Sequence, residues 1–160
     1  MGAKLNRGGS RQDYQTPIDF IDAVEARLHT QFWRDLAATN DNHIPDIYEW
    51  FTPEQNSLVQ EWSVKDDGWN WLNPPFSDIR PWAQKCWEES SDGSRVAMLV
   101  PASIGSNWWQ EFVHHKAHVL MLNDRIQFVG ADWVYPKDLG LLLYTPFIRQ
   151  GSYEGWSWKS

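Results

Sequence analysis

Apolar residues recur at helical spacing from Ile18 through Ile21 and Val24 to Leu28, which predicts an amphipathic helix reaching about Thr30. Thr16-Pro17-Ile18-Asp19 reads as its start: Thr16 caps, Pro17 takes the first helical position and Asp19 falls three residues after the cap. Phe32 to Leu36 predicts a short strand, followed by a small and polar stretch from Ala37 to His43. Ile47 to Phe51 is a second strand and Pro53 to Trp62 a short helix. Gly68 to Leu72 predicts a strand that runs into Asn73-Pro74-Pro75-Phe76, where two prolines must end it. Ser77 reads as the cap of a helix with Ile79, Trp82, Ala83 and Cys86 on one face. Arg95 to Val100 is almost continuously apolar, as a strand buried on both faces of a parallel sheet would be. Ser106 to His115 has a helical period and Ala117 to Leu122 reads as another buried strand. Arg125 to Val129 with Leu139 to Tyr144 reads as a closing antiparallel β-pair.

The alternation of strand and helix predicts an α/β fold: a mostly parallel sheet, helices on both faces and an antiparallel C-terminal pair. In such sheets ligands sit at the carboxyl ends of the strands. The expected organisation is a flexible basic arm over residues 1–12, one domain over 13–150 and a tail over 151–160.

Composition narrows the function. The 160 residues carry a formal net charge of −7, one Cys and 12 Trp. One Cys excludes an internal disulfide framework and a Cys-rich zinc site. No apolar run is long enough to span a membrane, and the absence of an apolar leader makes the cytoplasm the expected location. His114, His115 and His118 lack carboxylate or Cys neighbours at ligand spacing, so no metal is expected. The acidic balance gives no global attraction to nucleic acid, so such a partner would need a local basic patch. Lys4, Arg7, Arg11, Arg80, Lys85, Arg125 and Lys137 are its candidates, and ordinary solvated charge is the competing reading of all of them. The Trp excess suggests both packing bulk and stacking surface. Trp62, Trp69, Trp71, Trp82 and Trp87 read as packing, whereas Trp133, Trp156 and Trp158 are the ones free to touch a partner.

Asn73-Pro74-Pro75-Phe76 carries the most specific chemistry. The Asn73 amide oxygen and the Pro74 carbonyl can both accept hydrogen bonds from one planar amino group. That turns the nitrogen lone pair away from ring conjugation and towards an electrophile. Pro75 adds stiffness, and Phe76 offers a face for a base turned out of its duplex. The bland alternative is a strand end followed by a rigid turn.

With these elements in order, the chain resembles the phage-type Dam family of DNA N6-adenine methyltransferases. Asp13-Tyr14-Gln15-Thr16-Pro17 resembles the family's opening signature, and Asp35-Leu36-Ala37-Ala38 its Asp-x-Ala-Ala segment, which stands in for a glycine-rich loop. Tyr48 to Leu58 followed by Trp62, Asn73 to Ser77, Met98 to Ala102 and Asn123 to Phe128 match later segments. The likeness covers about Asp13 to Phe147. It implies a compact, single-domain, Rossmann-like fold that uses S-adenosylmethionine and passes its methyl group in line to the adenine amino nitrogen of DNA. Asn73, Pro74, Pro75 and Phe76 would be catalytic. Gln15, Thr16, Pro17, Asp35, Ala37, Ala38 and Asn56 would hold the cofactor, with Asp35 taking its ammonium and Asn56 its adenine. Glu49 and Asp46 remain alternatives for the ribose. Ser77 and Arg125 would touch DNA. The chain has no room for a separate recognition domain, so a second chain or loops such as Gly130 to Leu139 would have to read the groove. Monomer and homodimer both stay open. The same motif chemistry also fits an RNA adenine or a protein glutamine acceptor, and the aromatic excess fits a non-catalytic binding module.

Overall fold

The computed structural model describes residues 15–39, 42–63, 68–146 and 151–160. Strand and helix alternate as α1 (Ile18–Leu28), β1 (Phe32–Asp35), β2 (Glu49–Trp50), β3 (Trp69–Leu72), α2 (Arg80–Ser91), β4 (Val96–Pro101), α3 (Asn107–Phe112), β5 (His118–Asn123), β6 (Leu139–Tyr144) and β7 (Ser152–Ser157). Among the described residues the strands form one sheet in the order β2-β1-β3-β4-β6-β5-β7. Neighbours pair in parallel except at β6, which runs against both β4 and β5.

The sheet's two faces carry separate cores because strand side chains alternate. Ala97 and Leu99 of β4 join Phe20, Ile21 and Val24 of α1 on one face. Val96, Met98 and Val100 join Ala83 and Cys86 of α2 and Trp109 of α3 on the other. The expected three-layer α/β arrangement is therefore present.

Several local expectations change. Thr16 does not cap α1; Pro17 occupies the cap position, and no side chain caps the helix. Ser77 does not cap α2 either, since the helix begins at Arg80, after Ile79, with Pro81 in its first turn. Pro53 to Trp62 holds two single-turn 3-10 helices, Pro53–Gln55 and Ser57–Val59, broken where Asn56 takes φ 53°. Arg125 to Val129 is not a strand. Among the described residues its one ladder contact is a bridge from Val129 to Gln15, and β6 takes β4 and β5 as partners instead.

The segment expected as a tail contains β7, paired in parallel along the whole of β5. Trp158 is buried, meets Phe20 edge to face at 5.0 Å, and donates its indole N–H to the Asp124 carbonyl at 2.7 Å. Glu154 links Arg27 of α1 to His118 of β5, at 3.1 Å in each case. The C-terminal end is thus part of the packed sheet.

Candidate active site

Parallel pairing sets Asp35 beside Trp71 and Leu72 beside Met98, so β1 and β3 end side by side while β4 runs on to Pro101. Asn73 follows β3 directly, and Pro74 and Pro75 prevent the strand from continuing. The chain also runs from β2 past Phe51 at this edge, where the Ala38 N–H bonds the Phe51 carbonyl at 2.9 Å.

Two adjoining clefts open there. The larger, of about 170 Å³, is lined by Leu36, Ala37, Phe51, Asn56, Asn73 and Trp82, among others. The smaller is lined by Gln15, Thr16, Asp35, His43, Trp71 and Asn73, and the two share Ala37, Ala38, Thr39 and Asn73. The first is mainly apolar with amides at its rim; the second is polar.

Asn73 stands between the clefts. Its amide nitrogen donates to the Thr16 hydroxyl at 3.1 Å, a contact that ties residues 57 positions apart. Thr16 is itself buried, and its carbonyl accepts from Nε2 of His43 at 2.7 Å. The Thr16 hydroxyl therefore serves the amide where a helix cap was expected.

Asp35 is 4% exposed and accepts one hydrogen bond, from the Ala37 N–H at 3.1 Å. Burial outweighs that bond and pushes its carboxyl up to about 7. No ion pair involves it among the described residues. A buried carboxyl with little compensation beside a polar niche is suited to receiving a cation.

The expected site residues divide accordingly. Gln15, Thr16, Asp35, Ala37, Ala38, Asn56, Asn73 and Pro75 line the clefts together. Pro17, Pro74, Phe76, Ser77 and Arg125 do not. Phe76 packs edgewise on Tyr135 at 5.7 Å and Phe128 at 6.3 Å. Arg125 donates to the Pro136 carbonyl and pairs with Asp138, so it braces a loop. Glu49 is engaged by Arg34 at 2.9 Å, and Asp46 is exposed in a left-handed turn. His43 and Trp82 were missed as lining residues. His43 lay in a stretch read only as small and polar, and Trp82 shares its helical period with core positions.

An α/β sheet with a divided cleft at its carboxyl edge, an amide at the division and a buried acid beside it is compatible with a methyltransferase. The comparisons make this specific. The family model described as DNA N-6-adenine-methyltransferase (Dam) matches residues 6–141, and the chain belongs to that family. It is 28% identical over 160 residues to the DNA N-6-adenine-methyltransferase of Haemophilus phage HP1, covering 95% of this chain and 90% of that one. It is 26% identical over 112 residues to the DNA N-6-adenine-methyltransferase of Escherichia phage T1, covering 70% of this chain and 45% of that one. No solved structure matches the chain.

Proposed function

We propose that this protein methylates the exocyclic amino group of adenine in DNA, with S-adenosylmethionine as donor, by direct in-line attack on a base turned out of its helix. The observation that carries the reading is Asn73, held by Thr16 at the junction of two clefts with buried Asp35 in the niche alongside.

The residues present fit the cofactor. The acid that burial pushes up to about 7 has no cation beside it among the described residues, and the ammonium of the donor's methionine end matches it in charge. Ala37 and Ala38 are small enough for backbone to approach a ligand closely. Phe51, Trp82 and Asn56 give the larger cleft apolar walls and an amide, a donor set suited to an adenine ring. When bound, S-adenosylmethionine supplies a methyl group activated by its sulfonium.

The chain's own part is positioning and hydrogen bonding. Thr16 fixes the plane of the Asn73 amide. The Asn73 oxygen and the Pro74 carbonyl accept the two N–H bonds of the acceptor amino group. Their pull would free the nitrogen lone pair for the methyl carbon; as the N–C bond formed, the methyl–sulfur bond would break with its electron pair left on sulfur, giving S-adenosylhomocysteine, and the nitrogen's surplus proton would pass to solvent. The prolines remove the freedom of the strand end, so both acceptors keep their geometry.

The test incubates the purified protein with tritiated donor and unmethylated DNA, RNA or protein, then analyses the digested DNA for N6-methyladenine. Label in DNA adenine is expected, and Asn73→Ala should reduce it at least about 100-fold while S-adenosylhomocysteine still binds. Label confined to RNA or protein would transfer the mechanism to another acceptor. Absence of cofactor binding in the wild-type protein would sink the enzyme reading and favour a binding module.

A further inference from the structure

The loop between Val129 and Leu139 is bound at its base and open at its tip. The Val129 N–H bonds the Gln15 carbonyl at 3.0 Å, and the Tyr135 N–H bonds the Ile126 carbonyl at 2.7 Å. The Ala102 N–H bonds the Asp138 carbonyl at 2.9 Å, which joins the loop to the end of β4. Arg125 reaches the Pro136 carbonyl at 2.9 Å and Asp138 at 3.2 Å. These bonds fasten the loop to the segments that carry the catalytic edge.

At the tip, Trp133 is 80% exposed, with its neighbour Val134 about half exposed. Among the described residues Trp133 is the most exposed large apolar side chain, and it sits on a loop whose base is secured, so its indole face is available for stacking. Its position is informative. Two residues span at most about 7 Å, so Trp133 stands close to Tyr135. The Tyr135 ring in turn lies 5.7 Å from that of Phe76. The loop that carries Trp133 is thus packed, through Tyr135, against the Asn73-Pro74-Pro75-Phe76 turn.

We propose that Trp133 is the wedge through which this protein engages duplex DNA, stacking on the bases next to the adenine as that base leaves the helix. The inference rests on DNA being the acceptor. Charge at the loop is mixed: Arg125 is committed to Asp138, Asp132 beside Trp133 would repel phosphate and Lys137 is a further cation, so what the tip itself offers a base is the exposed indole. Every base has a face on which an indole can stack, and filling the gap left by an extruded base lowers the cost of extrusion. A wedge is needed for paired adenine and not for adenine already unpaired.

Trp133→Ala and Trp133→Phe are compared with the wild-type protein on native and heat-denatured unmethylated DNA. Calorimetry with S-adenosylhomocysteine serves as the folding control, and duplex binding is measured by anisotropy in its presence. Trp133→Ala should lose about 10-fold or more in kcat/KM and in affinity on native DNA. It should lose less than about 3-fold on denatured DNA, and Trp133→Phe should recover most of the difference. Equal losses on the two DNAs, or none on either, would overturn the wedge, as would duplex binding indifferent to both variants. The failure of the underlying reading looks different: a wild-type protein that binds S-adenosylhomocysteine yet labels neither DNA.

Discussion

Asp35 and Thr16 are the residues whose surroundings make the sharpest demands. Burial raises the Asp35 carboxyl from its ordinary 3.8 to about 7. The folded protein then binds a proton at pH values where the unfolded chain has released it, so stability is greatest below about pH 4 as far as this group acts. It falls as pH rises towards 7 and levels off above that, with a full span of roughly 4 kcal/mol. Asp35→Asn removes this slope, so the ligand-free variant should gain stability relative to wild type at pH 8 while binding S-adenosylhomocysteine more weakly. Wild-type affinity should decline below about pH 7, where the acid must first lose its proton, and the variant's should not. Urea melts and titrations between pH 5 and 8 measure both, and parallel profiles for the two proteins would refute the assignment. Thr16 gives a second discriminating case. Thr16→Val keeps shape and removes the hydroxyl that holds Asn73 at 3.1 Å. Turnover should fall about 10-fold with S-adenosylhomocysteine affinity within about 2-fold, and Thr16→Ser should restore it. The reverse pattern, weak cofactor binding at normal turnover, would return Thr16 to the cofactor role that resemblance implies.

At the scale of elements, β7 decides how the C-terminal end contributes. Gly151, just before β7, lies so close to the chain entering β5 that an added Cβ would lie 2.3 Å from the Ala117 carbonyl oxygen. Gly151→Ala should therefore destabilise by about 1–3 kcal/mol, and Trp158→Ala, which opens the Phe20 contact, by about 3 kcal/mol. Denaturant midpoints that do not move would show that β7 is dispensable. The pairing explains why this strand was not legible in the sequence. Its side chains are mostly exposed, so no buried face imposes an alternation, and its partner lies 34 residues away. β4 was legible for the opposite reason: both its faces are buried, so its run is apolar throughout. Arg125 to Val129 imitated a strand because Ile126 and Phe128 alternate into the core, although the segment runs as a loop with only a bridge at its end. The site divides in the same way. Asn73 and Asp35 were legible because each terminates a recognisable strand. Thr16 on Asn73 and His43 on Thr16 are contacts between residues 57 and 27 positions apart that local pattern does not encode.

For the whole molecule, charge governs how DNA is met. The net charge of −7 gives no global attraction to DNA. Ion pairs with acids occupy Arg27, Arg34, Arg80, Lys85 and Arg125. Each such cation would have to give up an acid before it neutralised a phosphate, so it releases few counterions on binding. The affinity for duplex DNA should accordingly fall only gently with salt, with a log–log slope shallower than about −4, equivalent to fewer than about five neutralised phosphates. Lys4, Arg7 and Arg11 lie outside the described residues and bear the cations that the sequence places in one basic arm. Changing all three to Ala should remove most of the remaining slope, while S-adenosylhomocysteine affinity stays unchanged. Anisotropy titrations from 50 to about 300 mM salt separate the cases. A slope near −8 would show a basic surface that these ion pairs conceal, and an unaltered slope in the triple variant would remove the arm from the contact. With a shallow slope, most of the binding energy must come from stacking and from the pocket, the contribution that the proposed Trp133 wedge would supply.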